Sequence, residues 1–89
     1  MAICLIFDAP GVTQAQYDQV RTEVTGDRPP EGSLYHIAGP TENGWYVVEA
    51  WESQETLDRF LREKLQAALQ RAGITAQPRV LQVARIMQP

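Results

Sequence analysis

The fold of this chain is decided by residues 34–51, which read Leu34-Tyr35-His36-Ile37-Ala38-Gly39-Pro40-Thr41-Glu42-Asn43-Gly44-Trp45-Tyr46-Val47-Val48-Glu49-Ala50-Trp51. Two runs rich in aromatic and β-branched residues, 34–38 and 45–51, flank a segment with Gly-Pro and Asn-Gly pairs, and such runs favour strands. Asn43-Gly44 is typical of a tight turn, because these residues supply the positive φ angles that the turn needs. The stretch therefore predicts a β-hairpin.

The residues before the hairpin predict one strand and one helix. Residues 2–7 are a continuous apolar run that ends at Asp8-Ala9-Pro10-Gly11, which is typical of a buried strand followed by a turn. Thr13 is a suitable N-cap for a helix over residues 13–25, and the proline pair after Gly26 prevents its continuation. The apolar residues of this helix recur at helical spacing at Tyr17, Val20 and Val24.

The residues after the hairpin predict a second helix and a last strand. Ser53 is a suitable N-cap, and Gly73 is a suitable C-terminal stop. Between them one apolar stripe is formed by Leu57, Phe60, Leu61, Leu65, Ala68, Leu69 and Ala72. After Pro78, residues 80–86 partly alternate between apolar and polar, as a strand with one wetter edge does.

The order strand, helix, strand, strand, helix, strand predicts an α+β fold of the ferredoxin-like βαββαβ type. In this fold a four-stranded antiparallel sheet carries two helices on one face. The 89 residues form a single domain, 1–89. Because strand 2–7 is apolar at every position and strand 45–51 is apolar on both faces apart from Glu49, the helix-free face also needs cover. Sheet-to-sheet packing of a homodimer is the simplest cover.

Composition and charge exclude several classes of function. The net charge of −3 and the scattered basic residues argue against a nucleic-acid partner, and the short apolar N-terminus argues against a membrane partner. One cysteine, Cys4, allows no intrachain disulfide, so we expect a reducing, cytoplasmic location and a buried thiol. One histidine and one cysteine cannot build a standard zinc site, and no dinucleotide or phosphate loop is present. We therefore expect no metal and no cofactor.

The second half of the chain resembles a known superfamily. Residues 34–45, then Val47-Val48-Glu49-Ala50-Trp51-Glu52-Ser53 and Phe60, resemble the dimeric α/β-barrel superfamily. Within it they are most similar to small proteins grouped with antibiotic-biosynthesis monooxygenases. The resemblance implies a barrel formed by the sheets of a homodimer and a small-molecule cleft between sheet and helices. Some members oxidise polycyclic phenols without metal or flavin, and others have different activities or none known, so the fold is better implied than the reaction.

His36 is the leading candidate for chemistry. It is the single histidine, and an imidazole is the side chain whose ordinary pKa suits proton transfer near neutral pH. Glu49 lies across the hairpin and, if the register allows, faces His36 and orients its ring. The alternatives are a hydrogen-bonded strand histidine without function and a Glu49 that points to solvent or pairs with an arginine. Haem bound by His36 is a weaker option, since haem-degrading relatives carry their histidine on a helix.

Aromatic residues concentrate around the hairpin and the two helices, and some of them could line a cleft for an apolar or aromatic substrate. The candidates are Tyr17, Tyr35, Trp45, Tyr46, Trp51 and Phe60. Tyr35 and Tyr46 alternate with their neighbours along the strands, so only some of these rings can share a face with His36. Trp51 also fits a packing role under the second helix.

Two hypotheses of different class follow from these residues. The first is a small cofactor-independent enzyme of small-molecule metabolism, secondary metabolism included, that is monooxygenase-like or else isomerase- or cyclase-like. In it His36 is the acid/base and the aromatic residues hold the substrate. The second is a non-catalytic ligand-binding or assembly module of the same dimeric fold. The sequence does not decide between them, because the hairpin register is not visible in it.

Overall fold

The computed structural model describes all 89 residues and confirms the ferredoxin-like order of elements. One four-stranded antiparallel sheet has the strand order β2-β3-β1-β4 and carries the helices on one face. No helix has the length and apolar character needed to cross a membrane. The elements are β1 (Ile3–Pro10), α1 (Gln14–Val24), β2 (Ser33–Thr41), β3 (Gly44–Trp51), α2 (Gln54–Phe60), a π-helical turn (Leu61–Leu65), α3 (Gln66–Arg71) and β4 (Arg79–Gln82).

Helix α1 begins where the sequence predicts. The Thr13 hydroxyl accepts a hydrogen bond from the Gln16 backbone N–H at 3.1 Å, and the Gln16 side chain accepts from the Thr13 backbone N–H at 2.9 Å. This reciprocal capping box satisfies two of the amide groups that the first turn leaves unpaired. Gly26, at a φ of +60°, follows the helix and reverses the chain.

The second predicted helix begins at its Ser53 cap and ends before Gly73, but it is not uniform. Its middle turn, Leu61–Leu65, is π-helical, and the Gln66 N–H donates to the Leu61 carbonyl. A π-turn carries one extra residue, so it shifts the phase of the apolar stripe, and such turns are frequent at functional sites. As a result Phe60 and Leu65, five residues apart, both point toward the sheet.

The hairpin turn corrects one prediction. The strands extend to Thr41 and Gly44, so only Glu42 and Asn43 remain in the turn. Outside glycine no residue has a positive φ, and Gly44 does not have one either, so the Asn-Gly pair is not there for left-handed backbone. Gly44 is required for space instead, because a Cβ atom there would lie 2.2 Å from the Ala9 carbonyl oxygen of β1.

Other predicted boundaries shift at the ends of the sheet. Strand β1 runs on through Asp8 to Pro10, because β3 continues to pair with it as far as Gly44. Strand β4 is confined to Arg79–Gln82 and does not reach residue 86, because β1 offers partners only for those four residues. Cys4 is half-buried and lies on the helix-free face, so the expected burial of its thiol is not complete in the single chain.

The core lies between the sheet and the helices. Every second residue of β1 points into it, as the burial pattern of that strand shows. Trp51, Leu5 and Leu57 are fully buried and form its centre. The core consists of Ile3, Leu5, Phe7, Val20, Trp51, Leu57, Phe60, Leu65 and Ala68.

Candidate functional site

The hairpin register places His36 directly opposite Glu49. Both side chains point to the helix-bearing face of the sheet, because Glu49 shares its face with Trp51 and Val47 of the core. The Nδ1 atom of His36 lies 2.6 Å from Oε2 of Glu49. The contact that the sequence left open is therefore present in the folded chain.

Glu49 is a buried carboxylate with two hydrogen-bond partners. Its side chain is about 10% exposed, and its second oxygen, Oε1, accepts a hydrogen bond of 3.1 Å from the Trp51 indole N–H. Trp51 has no exposed surface, so its ring is fixed by the core around it. A buried carboxylate without partners would be costly, and here one oxygen is held by the indole and the other by the imidazole.

Tyr17 of α1 completes the group from the helix side. Its hydroxyl lies 2.5 Å from Nε2 of His36, and its ring packs against Trp45 with ring centroids 5.2 Å apart. Burial raises the pKa of the Tyr17 phenol above its ordinary value of 10.0. The charges of Glu49 and Asp18 act in the same direction, while Arg21 opposes them. Tyr17 is therefore a neutral phenol at physiological pH.

These contacts define one continuous hydrogen-bonded chain of four side chains, which we call the relay: Tyr17, His36, Glu49 and Trp51. A neutral phenol donates to Nε2 when His36 carries its proton on Nδ1, and that Nδ1–H then donates to the Glu49 carboxylate. Every donor in the relay has an acceptor in this arrangement. A carboxylate behind an imidazole fixes the tautomer and stabilises the imidazolium that forms when Nε2 takes up a proton.

The relay borders an apolar cavity of about 240 Å³ between the sheet and the helices. His36, Glu49 and Tyr17 lie in its wall, and the remaining wall is mainly hydrophobic. The apolar side chains and prolines in the wall are Phe7, Ala9, Val12, Val20, Val24, Pro29, Pro30, Trp45, Val47, Phe60, Leu65, Leu69 and Ile74. An apolar pocket with a few convergent polar groups is the usual form of a small-molecule site.

The structure brings some of the predicted aromatic residues to this cavity and separates others. Tyr17, Trp45 and Phe60 line it, while Trp51 lies behind Glu49 and packs on Phe60 with ring centroids 5.2 Å apart. Tyr35 and Tyr46 lie on the helix-free face, because Tyr35 neighbours His36 along β2 and Tyr46 neighbours Trp45 along β3. The Tyr46 ring covers Gly39 on that face.

Sequence reasoning missed Arg21, the one arginine or lysine in the cavity wall. It follows Tyr17 by four residues, so both lie on one face of α1, and this spacing could have indicated it. One guanidinium nitrogen donates to the Gly26 carbonyl at 3.1 Å and lies 3.5 Å from the exposed carboxylate of Asp27. The loop from Thr25 to Pro30 also contributes to the wall, and no sequence pattern identified it.

One buried polar side-chain atom, in the wall residue Trp45, has no hydrogen-bond partner in the protein. The indole N–H of Trp45 is buried and has no hydrogen-bond acceptor in the protein. A buried donor without an acceptor costs about 1–3 kcal/mol. Trp45 thus differs from Trp51, whose indole N–H is bound to Glu49.

Comparison with solved structures identifies proteins of the same architecture. A protein assigned as an antibiotic biosynthesis monooxygenase from Chloroflexus aurantiacus J-10-fl superposes with a TM-score of 0.70 at 16% identity, over 98% of both chains. SnoaB, a cofactor-independent oxygenase from Streptomyces nogalater, matches with a TM-score of 0.61 at 13% identity, over 99% of this chain and 96% of SnoaB. The chain has the fold of the antibiotic biosynthesis monooxygenase-like proteins.

A third neighbour, Rv0793 from Mycobacterium tuberculosis, gives a TM-score of 0.69 at 14% identity, over 99% of this chain and 98% of that one. No protein-family model and no curated protein matches the sequence. The antibiotic biosynthesis monooxygenase-like fold is thus established by structural likeness, and a shared fold does not assign roles to residues.

Proposed function

We propose that this protein is a small cofactor-independent enzyme, monooxygenase-like, that binds an aromatic substrate in the cavity and deprotonates it through His36. The observation that carries the proposal is the position of the relay in the wall of an otherwise apolar cavity. A general base needs an ordinary pKa near neutral pH, a fixed tautomer and access to a substrate proton. The contact between Nδ1 of His36 and the Glu49 carboxylate supplies the fixed tautomer.

The chemistry follows from the charge that deprotonation creates. A phenol or enol that loses its proton becomes an electron-rich anion, and such an anion can reduce dioxygen without help from a metal or flavin. The substrate loses two hydrogens, one from its hydroxyl group and one from the ring carbon that is oxidised. That carbon gains one oxygen atom as a carbonyl, and the second oxygen atom leaves with the two hydrogens as water. Arg21 lies in the same wall, and its positive charge stabilises the deprotonated substrate. The apolar wall keeps water from the reactive anion.

The cavity also limits the size of the substrate. Its volume of about 240 Å³ lies below the range of roughly 300–1,000 Å³ for drug-sized ligands. Trp45 and Tyr17 offer stacked aromatic surface on one side, and Phe60 lies in the wall as well. We infer that the substrate is a compact ring system, such as a naphthol, with at least one ionisable hydroxyl group.

Oxygen consumption by the purified protein tests the proposal. With 1-naphthol or a dihydroxynaphthalene under isotopically labelled dioxygen, we expect oxygen uptake and a product that contains one labelled oxygen atom. Naphthalene, which has no hydroxyl group, is the matched control and should consume no oxygen. Saturable binding of the naphthols without oxygen uptake or product would instead support the alternative, a non-catalytic ligand-binding module.

The same proposal includes a homodimer formed through the helix-free face of the sheet. Ile37, Val48 and Ile6 form one row across that face by strand register, and Ile37 is 55% exposed in the single chain. The segment after β4 returns over this face as far as Tyr35, whose hydroxyl accepts a hydrogen bond from the Gln88 amide, and it leaves Ile37 exposed and Ile6 and Val48 half-buried. An exposed apolar patch of this kind is typical of an interface.

We expect a solution mass of twice the 10.0 kDa chain mass, measured by sedimentation equilibrium. Replacing Val48 with glutamate places a charge at the middle of the row and should yield a monomer. Gln70→Glu, on the exposed side of α3, adds the same charge elsewhere and should leave the dimer intact. A wild-type monomer, or an unchanged mass for Val48→Glu, would contradict this interface.

A further inference from the structure

The geometry of the relay determines how a substrate proton can reach His36. Both ring nitrogens of His36 are already occupied, Nδ1 by Glu49 at 2.6 Å and Nε2 by the Tyr17 hydroxyl at 2.5 Å. A substrate that enters the cavity therefore meets no free nitrogen on the imidazole. If His36 is to accept a proton from a substrate, another group must stand between them.

Tyr17 is in the position to be that group. Its hydroxyl makes no hydrogen bond other than the one to His36. A phenol oxygen can donate one hydrogen bond and still accept another, so Tyr17 can donate to Nε2 and accept from a ligand at the same time. The Tyr17 side chain lies in the cavity wall and is held there by its packing against Trp45.

The surroundings of Tyr17 favour a transfer in which the phenol gains one proton as it loses another and so stays neutral. Burial raises its pKa, and the facing charges are Asp18 and Arg21 on its own helix and Glu49 on the sheet. A free tyrosinate would be disfavoured here. Transfer that moves one proton in and another out leaves the phenol neutral and places the positive charge on His36, beside the Glu49 carboxylate.

We propose that Tyr17 is the catalytic residue that touches the substrate and that it passes the substrate's proton to His36. The substrate O–H bond breaks and its proton binds the Tyr17 oxygen, while the original Tyr17 proton moves to Nε2 of His36. The products of this step are a substrate oxyanion, an unchanged phenol and an imidazolium paired with Glu49. The step rests on the proposed function, because it assigns the route of the proton that His36 finally holds.

Para-nitrophenol is a suitable probe, because its anion is coloured and its ionisation can be measured without turnover. For the wild-type protein near pH 6 we expect saturable binding in which the bound probe is largely nitrophenolate. In Tyr17→Phe the ring still fills its place, and a probe oxygen in the former hydrogen-bonding position lies about 5 Å from Nε2, beyond direct reach. We expect the ionised fraction of the bound probe to fall about tenfold or more, because the nitrophenolate oxygen loses the hydrogen bond from the Tyr17 hydroxyl and its contact with the imidazolium.

The control variant is His36→Asn, which keeps a donor for Glu49 and removes the base. Loss of ionisation in both variants supports the Tyr17 route. Loss in His36→Asn with full ionisation in Tyr17→Phe would overturn it, since His36 would then contact the probe directly, and the proposed function would stand. A wild-type protein that binds the probe without ionising it would contradict the proposed function itself.

A second variant keeps the test decisive if Tyr17→Phe folds poorly. Incorporation of fluorotyrosine at position 17 keeps the hydroxyl and the ring but lowers the ordinary pKa of the phenol. If Tyr17 transfers the proton, the rate of oxygen uptake with a substrate that the wild type oxidises should change with the acidity of the fluorinated phenol, because bonds to its oxygen break and form in the step. If Tyr17 only holds the imidazole in place, the two rates should coincide, and that result would also overturn the inference.

Discussion

Replacement of His36 with asparagine is expected to lower kcat/KM for a phenolic substrate by about 10²–10⁴-fold, the usual contribution of a general base. An asparagine amide can donate to Oε2 of Glu49 from about the position of the imidazole Nδ1. It cannot take up a proton near neutral pH. The variant should therefore fold with nearly wild-type stability and fail in the proton-transfer step. Oxygen uptake with the substrate found for the wild type measures the first effect, and urea unfolding measures the second.

His36→Ala provides the informative comparison. This variant would remove one of the two partners of a buried carboxylate. We expect it to cost a further 1–3 kcal/mol or so of unfolding free energy relative to His36→Asn. Wild-type turnover in the asparagine variant would remove His36 from the mechanism. Equal stability of the two variants would show that water replaces the imidazole beside Glu49.

The outline of the fold could be predicted because it depends on local patterns. The Thr13 and Ser53 caps, the apolar stripe after Leu57 and the aromatic strands of the hairpin each determine an element independently of the rest. The order of these elements then leaves few topologies. The π-helical turn at Leu61–Leu65 was not predictable, since the same apolar residues are compatible with an unbroken α-helix.

The site could be predicted only in part because it depends on register. His36 and Glu49 were candidates from their chemistry, but a shift of one residue between β2 and β3 would have placed them on opposite faces. The same rule separates Trp45, in the cavity wall, from Tyr46, on the other face. The contact between Tyr17 and His36 joins a helix to an edge strand nineteen residues away, and no local pattern encodes that distance.

Trp51 is the largest fully buried side chain of the protein, and its indole N–H also donates to the Glu49 carboxylate of the relay. Its side chain is fully buried, between Phe60 on one side and the sheet on the other. We expect Trp51→Ala to lower the free energy of unfolding by about 3–5 kcal/mol, the usual cost of removing a buried aromatic ring. That is a large fraction of the roughly 5–15 kcal/mol available to a domain of ordinary stability. Urea unfolding followed by far-ultraviolet circular dichroism measures the change.

A matched pair of phenylalanine variants separates the indole hydrogen bond from the packing. Trp51→Phe removes the N–H that Glu49 accepts, and Trp45→Phe removes an N–H that has no acceptor. Both substitutions delete similar aromatic volume from the same strand, and the fuller burial of Trp51 adds a packing loss in the same direction as the lost hydrogen bond. We therefore expect Trp51→Phe to cost about 1–3 kcal/mol more than Trp45→Phe, because a buried acceptor loses a partner in one case and an unsatisfied donor disappears in the other. If the two variants unfold at the same urea concentration, the indole of Trp51 does not stabilise the Glu49 carboxylate, and the relay ends at Glu49.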